Sequence, residues 1–335
     1  METINKKIGI FILNYNGINW LKQTLPNLIK YSKKAEIIII DNNSTDNSIQ
    51  YLETHFPSIE LKINIQNYGF AKGYNDILLK EKRFKYFIIM NNDVKVSKNW
   101  IVPLLKIMQN KDVGIVQPKI KSLQNPNYFD YAGAAGGYID CFGIPFCRGR
   151  IFNNIELDTG QYDDDTTIFW ASGACFMIKA KLFQKLNGFD EIFFMHQEEI
   201  DLCWRAQNLN KKSYFAGKST VYHFGGGTLE YKSPIKAYYN HRNNLLLLIK
   251  NLNSRFIFIM FCRILLDYIL ILGYIFSGFF YLKNVFYILK AHGSLLLLLP
   301  KFLKSRKPNK SNLIYNGSII FDYYIKGRKK FSQLK

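Results

Sequence analysis

A chain of 335 residues that is 48% hydrophobic and 16% aromatic is too apolar for a disordered tail, and long enough for one large core or two small ones. Its formal net charge of +20 suggests an anionic partner: nucleic acid, a nucleotide, or an anionic membrane surface. Five cysteines without a Cys-x-x-Cys pair give neither a zinc framework nor a regular disulfide pattern, and Cys175, Cys203 and Cys262 lie in apolar runs and read as reduced core residues.

Lys6 and Lys7 lead directly into the apolar run Ile8–Leu13, which is too short for a signal peptide and reads as a first buried strand. It ends on Asn14-Tyr-Asn-Gly17. Trp20 to Tyr31 has helical spacing. Glu36 to Ile40 is a second strand ending on Asp41, and a helix opens near Asn47 and runs to Thr54. Leu61 to Ile65 is a third strand. Asn67-Tyr-Gly-Phe-Ala-Lys-Gly-Tyr-Asn75 leads into a helix ending near Lys82. A fourth strand, Phe87 to Met90, stops on Asn91-Asn-Asp93. Trp100 to Asn110 is a helix and Val113 to Pro118 a strand. Strands alternating with helices at this pace predict a parallel, doubly wound sheet, in which ligands collect beyond the carboxyl ends of the strands.

Residues 122–167 are rich in Gly, Asn, Tyr and Asp and read as a long, loop-rich insertion that could cover a site. Its run Asp163-Asp-Asp165 suits a solvated loop better than a metal site, because no spaced ligands accompany it. Phe169 to Ile178 is apolar, and Ala180 to Asn187 is a helix closed by Gly188. His196 to Arg205 is a helix that places Glu198, Asp201, Leu202 and Arg205 on one face. Ser213–Phe215 and Ser219–His223 are short strands before Phe224-Gly-Gly-Gly227. Tyr238 to Leu252 is an apolar helix. Phe256 to Leu282 is almost continuously apolar, broken by Arg263 and Asp267, and Leu295–Leu299 repeats the theme.

Four places carry chemistry. Asp93 at a strand end can hold a divalent metal and the phosphates attached to it, or belong to a turn. Asp41, at a second strand end, can accept from the imide N–H of a pyrimidine, or cap a helix. The glycines between Asn67 and Asn75 let backbone approach a nucleotide, although they are not a dinucleotide fingerprint. Glu198, Glu199 and Asp201 crowd three carboxylates together, which raises at least one pKa and makes a general base, unless they lie on a solvated helix face. His223 could complete an oxygen and nitrogen set with Asp93 that suits Mn2+ or Mg2+.

Asn14-Tyr-Asn16, Asp41-Asn-Asn-Ser-Thr-Asp46, Asn67-x-Gly-Phe-Ala-x-Gly-x-Asn75, Asn91-Asn-Asp93, Ser172-Gly-Ala-Cys175, Gly188-Phe-Asp-Glu191, Glu198-Glu-Ile-Asp-Leu-Cys-Trp-Arg205 and Val221-Tyr-His223 occur in one order. This order resembles the inverting family 2 glycosyltransferases of GT-A fold, in particular the bacterial rhamnosyltransferase-like branch, over residues 6 to 245. The resemblance implies an α/β domain with a mixed sheet flanked by helices at 1–245, while the apolar helices and basic tail at 246–335 read by composition as a membrane-associating region. The resemblance also implies a donor pocket of Asn14, Asn16, Asp41, Asn43, Asn67, Gly73, Asn75, Asn92 and Asp93. It implies an acceptor side of Gly173, Asp190 and Trp204, and a metal, Mn2+ or Mg2+, on Asp93 and His223. The family's Glu-Asp pair falls on Glu198-Glu199, so Glu199 is the first choice of base and Asp201 the second. Asn91 stands where a full Asp-x-Asp has its first Asp. The implied partners are a dTDP- or UDP-linked sugar and a glycan or polyprenyl-diphosphate-linked acceptor. An inactive family member that scaffolds a membrane glycan-assembly complex is the alternative. No nucleic-acid module is recognisable.

Ile264 to Leu282 is 19 residues long, close to the roughly 20 that span a bilayer. Asp267 inside it would cost about 2.5–3.5 kcal/mol at a bilayer centre, and Arg263 stands four residues before it as a partner. Lys301 to Lys335 holds ten basic residues and one acid, Asp322. With aromatics spread throughout, these features suit helices lying in the cytoplasmic interface of the inner membrane, with a basic tail on anionic lipid. A spanning helix and a buried core helix are the other readings.

Overall fold

The structure is a computed structural model and describes residues 7–225, 234–253, 255–276, 282–308 and 311–334. Gly226 and Gly227 of the glycine run, residues 277–281 of the apolar run, and Lys310 and Lys335 of the basic tail lie outside the described residues.

The chain opens with β1 (Ile8–Asn14), α1 (Ile18–Tyr31), β2 (Glu36–Asp41), α2 (Ser48–His55), β3 (Glu60–Ile63), α3 (Gly69–Leu78) and β4 (Tyr86–Asn91). The pairs β3–β2, β2–β1 and β1–β4 are all parallel. Alternate residues face opposite sides. Phe11, Ile38, Phe87 and Ile89 pack on Tyr74 and Leu78 of α3. Ile10, Ile12, Ile39 and Ile88 pack on Leu21, Leu25 and Leu28 of α1. Both faces are therefore covered, as parallel sheets require.

After β5 (Val94–Val96), α4 (Ile101–Met108) and β6 (Val113–Ser122), the parallel expectation fails. The insertion holds β7 (Gly137–Ile139), β8 (Pro145–Cys147), β9 (Arg150–Ile151), β10 (Asn154–Ile155) and β11 (Thr166–Ile168). Then β12 (Cys175–Lys179) runs antiparallel between β4 and β6, so the sheet is mixed. The reason is connectivity. The stretch between β6 and β12 is no crossover helix, and a returning chain can enter in the opposite sense. The chain goes on through α5 (Ala180–Lys185), α6 (Glu198–Gln207) and β13 (Lys212–His223). The two short strands expected at the end are the one strand β13, with a register shift between Ala216 and Thr220.

The insertion is more ordered than its composition suggested. β7 to β10 form a small antiparallel sheet. Its acid run is a loop with Asp164 and Asp165 exposed, as expected, but its carboxylates are partnered. Asp163 pairs with Lys119, Asp164 with Arg148, and Asp165 accepts from the Gly217 amide at 3.0 Å. Lys119 and Lys121 both reach Asp158, at 3.1 and 3.0 Å.

Three long helices follow: α7 (Pro234–Asn251), α8 (Phe256–Phe276) and α9 (Leu282–Lys304). α7 is no appendage, since Leu245 to Ile249 are buried in the main core. A boundary at 245/246 would cut through that core. α8 and α9 are long and apolar enough to cross a membrane by length and composition. Their outer faces leave Phe258, Phe261, Ile269, Leu272, Phe286 and Leu297 exposed. Their inner faces bury Arg263 and Asp267, 3.7 Å apart as expected, and Asp267 also lies 3.0 Å from both His241 and His292. The remaining tail returns to the insertion. Tyr315 donates its amide to Ile139 at 2.8 Å, α10 (Ile319–Tyr324) begins there, and Ile319 is buried with Ile144, Phe146 and Ile151.

Ile319→Ala should therefore cost about 2–5 kcal/mol of tail docking. Limited proteolysis should then cut within 311–334 while the sheet stays folded. Simultaneous loss of the whole domain would contradict this reading.

Candidate active site

β1, β2 and β4 end in register: Asn14 is paired with Asp41, and Leu13 with Asn91. Their polar ends therefore form one rim. Asn14 Nδ2 donates to Asp41 Oδ2 at 2.8 Å and to Ser44 Oγ at 3.2 Å, while its Oδ1 accepts from Asn92 Nδ2 at 2.8 Å. Gly17 permits this approach, because a Cβ there would lie 2.1 Å from Asn92 Nδ2. Asp41 also accepts from the Ser44 amide at 2.6 Å and the Ser44 hydroxyl at 2.8 Å. Neither Asn14 nor Asp41 is accessible to solvent. They are struts of the rim, and neither is a free binding group. The helix-cap reading of Asp41 also fails, since α2 starts at Ser48, whose amide donates to Asp46 at 3.0 Å. Asn16 and Asn43 are exposed at the rim, both with positive φ, and the Asn16 carboxamide accepts from the Thr45 amide at 2.7 Å.

Asn67 is exposed beside them and accepts from the Gly69 amide at 2.9 Å. Gly73 is buried with Asn42 and Leu13 against it, 3.0 Å from where a Cβ would stand. Asn75 is a correction. It is buried, donates to Phe189 O at 2.9 Å and accepts from Phe189 N at 2.9 Å. It ties α3 to the turn after α5, because its amide is fully used by that backbone, and it does not line the rim.

Asp93 follows β4 in a turn and is buried, and its Oδ1 accepts no hydrogen bond. His223 Nε2 lies 3.2 Å from that oxygen. His223 Nδ1 is 3.0 Å from Asp130 Oδ2. A carboxylate can only accept, so Nδ1 carries the hydrogen and Nε2 faces Asp93. Burial opposes charging of His223, but Asp93 and Asp130 outweigh it and push its pKa up to about 10. At that pKa Nε2 also carries a hydrogen near neutrality, and a divalent cation that displaced it would find the Asp93 oxygen and the oriented imidazole nitrogen side by side. The protein supplies few ligands, however. Among the described residues no group of three or more His, Cys, Asp or Glu side chains could hold a metal ion.

Glu198 and Glu199 open α6 near the same rim. Gly173 lies against both: a Cβ there would be 3.9 Å from Glu199 Cδ and 4.0 Å from Glu198 Oε1. The next residue, Ala174, accepts the Asn91 amide at 3.0 Å, which joins this corner to the end of β4. Each glutamate has one buried oxygen, Oε2, without a hydrogen bond. Burial pushes Glu199 up to about 7, against the pull of nearby backbone groups including Gly173. Burial, then the charge of Glu199, raises Glu198 well above the usual carboxylate range. Glu198 is buried, whereas Glu199 is half-buried as a residue, with its Oε2 shielded from solvent.

Asp201 does not join them. Arg205 Nε lies 2.6 Å, Lys250 Nζ 3.0 Å and Asn251 Nδ2 3.0 Å from its carboxylate. Burial opposes its ionisation, but Arg205 and Lys250 hold it below the usual range. A carboxylate so paired is a poor base. Asp190 also belongs to this knot, accepting from Lys250 at 2.6 Å and from the Ile192 amide at 3.2 Å. Trp204 is fully buried, edge-on to Phe169 at 5.0 Å. It is a core residue and out of an acceptor's reach. Sequence reasoning missed Asp130 and Lys250. Asp130 lies in the insertion and carried no motif. Lys250 was the one cation at the end of a Leu-rich run, a visible signal without a visible partner.

The model of the family Glycosyl transferase family 2 matches residues 9–186, more than half of the chain, and the chain belongs to that family. It is 26% identical over 216 residues to the low-salt glycan biosynthesis hexosyltransferase Agl10 of Haloferax volcanii, covering 62% of this chain and 64% of that protein. It is 23% identical to rhamnosyltransferase WbbL of Escherichia coli K12, covering 59% of this chain and 76% of that one. An N-acetylglucosaminyl-diphospho-decaprenol L-rhamnosyltransferase of Mycobacterium tuberculosis is 22% identical, covering 57% of this chain and 67% of that one. Among solved structures, GalNAc-T7 with UDP, GalNAc and Mn2+ superposes with a TM-score of 0.53 at 19% identity, over 65% of this chain and 43% of that one. That likeness supports the GT-A fold.

The carboxylates should respond to neutralisation with opposite signs. Asp201→Asn leaves Arg205 without its anion and Lys250 with Asp190 alone, and should cost about 3–5 kcal/mol in denaturant unfolding. Glu199 has a folded pKa above its unfolded one, so its ionisation removes stability as pH rises from about 4.5 to about 7. Glu199→Gln should therefore stabilise the protein at pH 8, on the order of 2 kcal/mol, and change little at pH 4.

Proposed function

We propose that this protein transfers a sugar, rhamnose or another hexose, from a dTDP- or UDP-linked donor to a hydroxyl of a glycan or polyprenyl-diphosphate-linked acceptor. The single observation that carries this reading is Glu199. Its carboxyl, on a half-buried residue, has an unpaired, shielded oxygen and a pKa raised by burial to about 7, and it is placed against Gly173 and joined through Ala174 to the strand end that leads to Asp93. A general base works best with its pKa near the working pH.

The chemistry is one in-line displacement. The acceptor oxygen attacks the donor's anomeric carbon, the bond from that carbon to the diphosphate breaks, and configuration inverts. The acceptor proton passes to Glu199. Glu198, buried and held protonated, keeps a second negative charge away from the reacting centre. Asp201 stays ionised in its knot with Arg205 and Lys250 and takes no proton. The rim of Asn16, Asn43 and Asn67 faces the nucleotide, while Asn14 and Asp41 hold its shape. Asp93 and His223 would hold Mn2+ or Mg2+, and the bound cation would offset charge on the leaving diphosphate. With two protein ligands, the site would hold its cation largely through the donor itself.

The acceptor class is suggested by the mycobacterial relative's name and by the exposed apolar faces of α8 and α9. A lipid-linked glycan is reached at a membrane surface, and we place the protein peripherally on the cytoplasmic face of the inner membrane. Phe258, Phe261 and Ile269 would enter the interface, and Lys301 and Lys304 would meet anionic lipid.

A thermal-shift panel of nucleotide sugars with and without Mn2+ tests the donor. The true donor at about 100 times its Kd should stabilise the protein by about 2.7 kcal/mol, and Asp93→Ala should abolish the Mn2+-dependent part. Glu199→Gln should lower kcat by about 10²–10⁴-fold while donor stabilisation persists. In the wild type, kcat/KM should rise about tenfold per pH unit up to about pH 7 and then level off. Donor stabilisation without any transfer would favour the scaffold; no stabilisation by any nucleotide sugar would contradict both.

A further inference from the structure

Glu198 and Glu199 are reached through a loop, residues 192–197, that would not hold its shape alone. Phe194, His196 and Gln197 have φ of 60°, 66° and 70°, a region that L side chains rarely adopt. Phe194 cannot relax toward α3, because Gly69 stands there at φ 69° and even a Cβ on it would lie 2.6 Å from the Phe194 ring.

The loop's carbonyls are gripped from two sides. Phe194 O accepts from the Phe70 and Ala71 amides at 2.8 and 3.2 Å, at the start of α3. The other carbonyls turn to α7. The single carboxamide of Asn243 donates to Phe193 O at 2.9 Å, Met195 O at 2.8 Å and His196 O at 2.7 Å. Arg242 Nη2 donates to Ile192 O at 2.6 Å. Gln197 donates to Asn240 O at 3.1 Å and accepts from Asn244 Nδ2 at 3.1 Å. Asn243 has no solvent exposure, so these carbonyls have no water to turn to if the amide is lost.

We propose that Arg242 and Asn243 are positioning residues: they hold the 192–197 loop in its strained form and thereby fix where Glu199 meets the acceptor hydroxyl. They act through Glu199 and do not touch substrate. The donor rim stands mainly on β1, β2 and β4 and meets the loop only at the start of α3, where Phe194 is held by backbone amides and not by Arg242 or Asn243, so donor binding should change little when the clamp is lost. The clamp is backed by the second layer of helices, since Arg263 Nε donates to Asn244 Oδ1 at 3.3 Å and Asp267 lies 3.0 Å from His241, the residue before Arg242. The inference rests on the assignment of Glu199 as the base.

The test uses full-length Asn243→Leu and Arg242→Lys, with Leu247→Ala as control. Leu247 is equally buried one turn further along α7, and its side chain, being apolar, holds none of the loop's carbonyls. Misplacing a catalytic group by an ångström costs about 100-fold, so kcat should fall about 100-fold in Asn243→Leu while donor Kd stays within about twofold. Arg242→Lys should move the same way by less, and it keeps the test open if Asn243→Leu does not fold. Amide hydrogen exchange across 192–197 should speed up at least tenfold in the clamp variants and stay near wild type in Leu247→Ala. Unchanged kcat in both clamp variants would overturn the proposal, as would loop exchange equal to that of the control. If Glu199→Gln proves fully active, the base assignment falls, and the exchange result alone decides whether the clamp exists.

Discussion

Two adjacent glutamates stand at one helix start with a buried oxygen each left unpaired, and the rest of the site follows from that constraint. Unpaired carboxylates in a low-dielectric place resist ionisation. The first turn of α6 favours anions through the helix dipole, yet burial wins, and Glu199 is carried into the range where a carboxyl both loses and gains a proton near neutrality. Two positions further along α6, the outcome reverses. Asp201 is more deeply buried than Glu199, but Arg205 and Lys250 reach it, and it stays ionised. Neighbouring acids on one helix thus acquire different chemistry from their partners alone.

Holding such a pair in place requires scaffolding that costs stability elsewhere. The loop before α6 accepts three left-handed residues, and its carbonyls are satisfied by α3 on one side and α7 on the other. The rim opposite is built the same way. Asn14, Asp41, Ser44 and Asn92 bind one another, leaving the exposed asparagines to face a ligand. In both places buried polar side chains fix loop shape, and a smaller number of partly exposed groups remain for chemistry. The long C-terminal helices belong to this scaffold through α7, while their outer faces stay apolar.

Much of this was legible in the sequence. Apolar runs stopping on Asn or Asp located β1, β2 and β4, and their shared polar ends located the rim. Glu199 was readable because crowded carboxylates beside aromatics announce a raised pKa. Other features were not. Whether a strand-end Asp binds a ligand or braces a loop depends on who donates to it, and Asp41 and Ser44 give the same letters either way. The resemblance places Trp204 on the acceptor side, but an aromatic beside carboxylates is equally the mark of a core. Asn75, Asn243 and Lys250 act across separations of 114, 50 and 49 residues, and no local pattern encodes such pairings. The reversal at β12 is not readable from its residues, because an apolar strand reads the same in either direction, and only the family resemblance implied the mixed sheet.

The account stands on the protonation of one side chain. Carbon-13 labelling of glutamate, with the Glu199 carboxyl assigned by comparison with Glu199→Gln, lets its titration be followed by NMR. The account predicts a midpoint near pH 7, in a carboxyl that titrates within the folded protein. A midpoint near 4.5, that of an ordinary exposed glutamate, would contradict it.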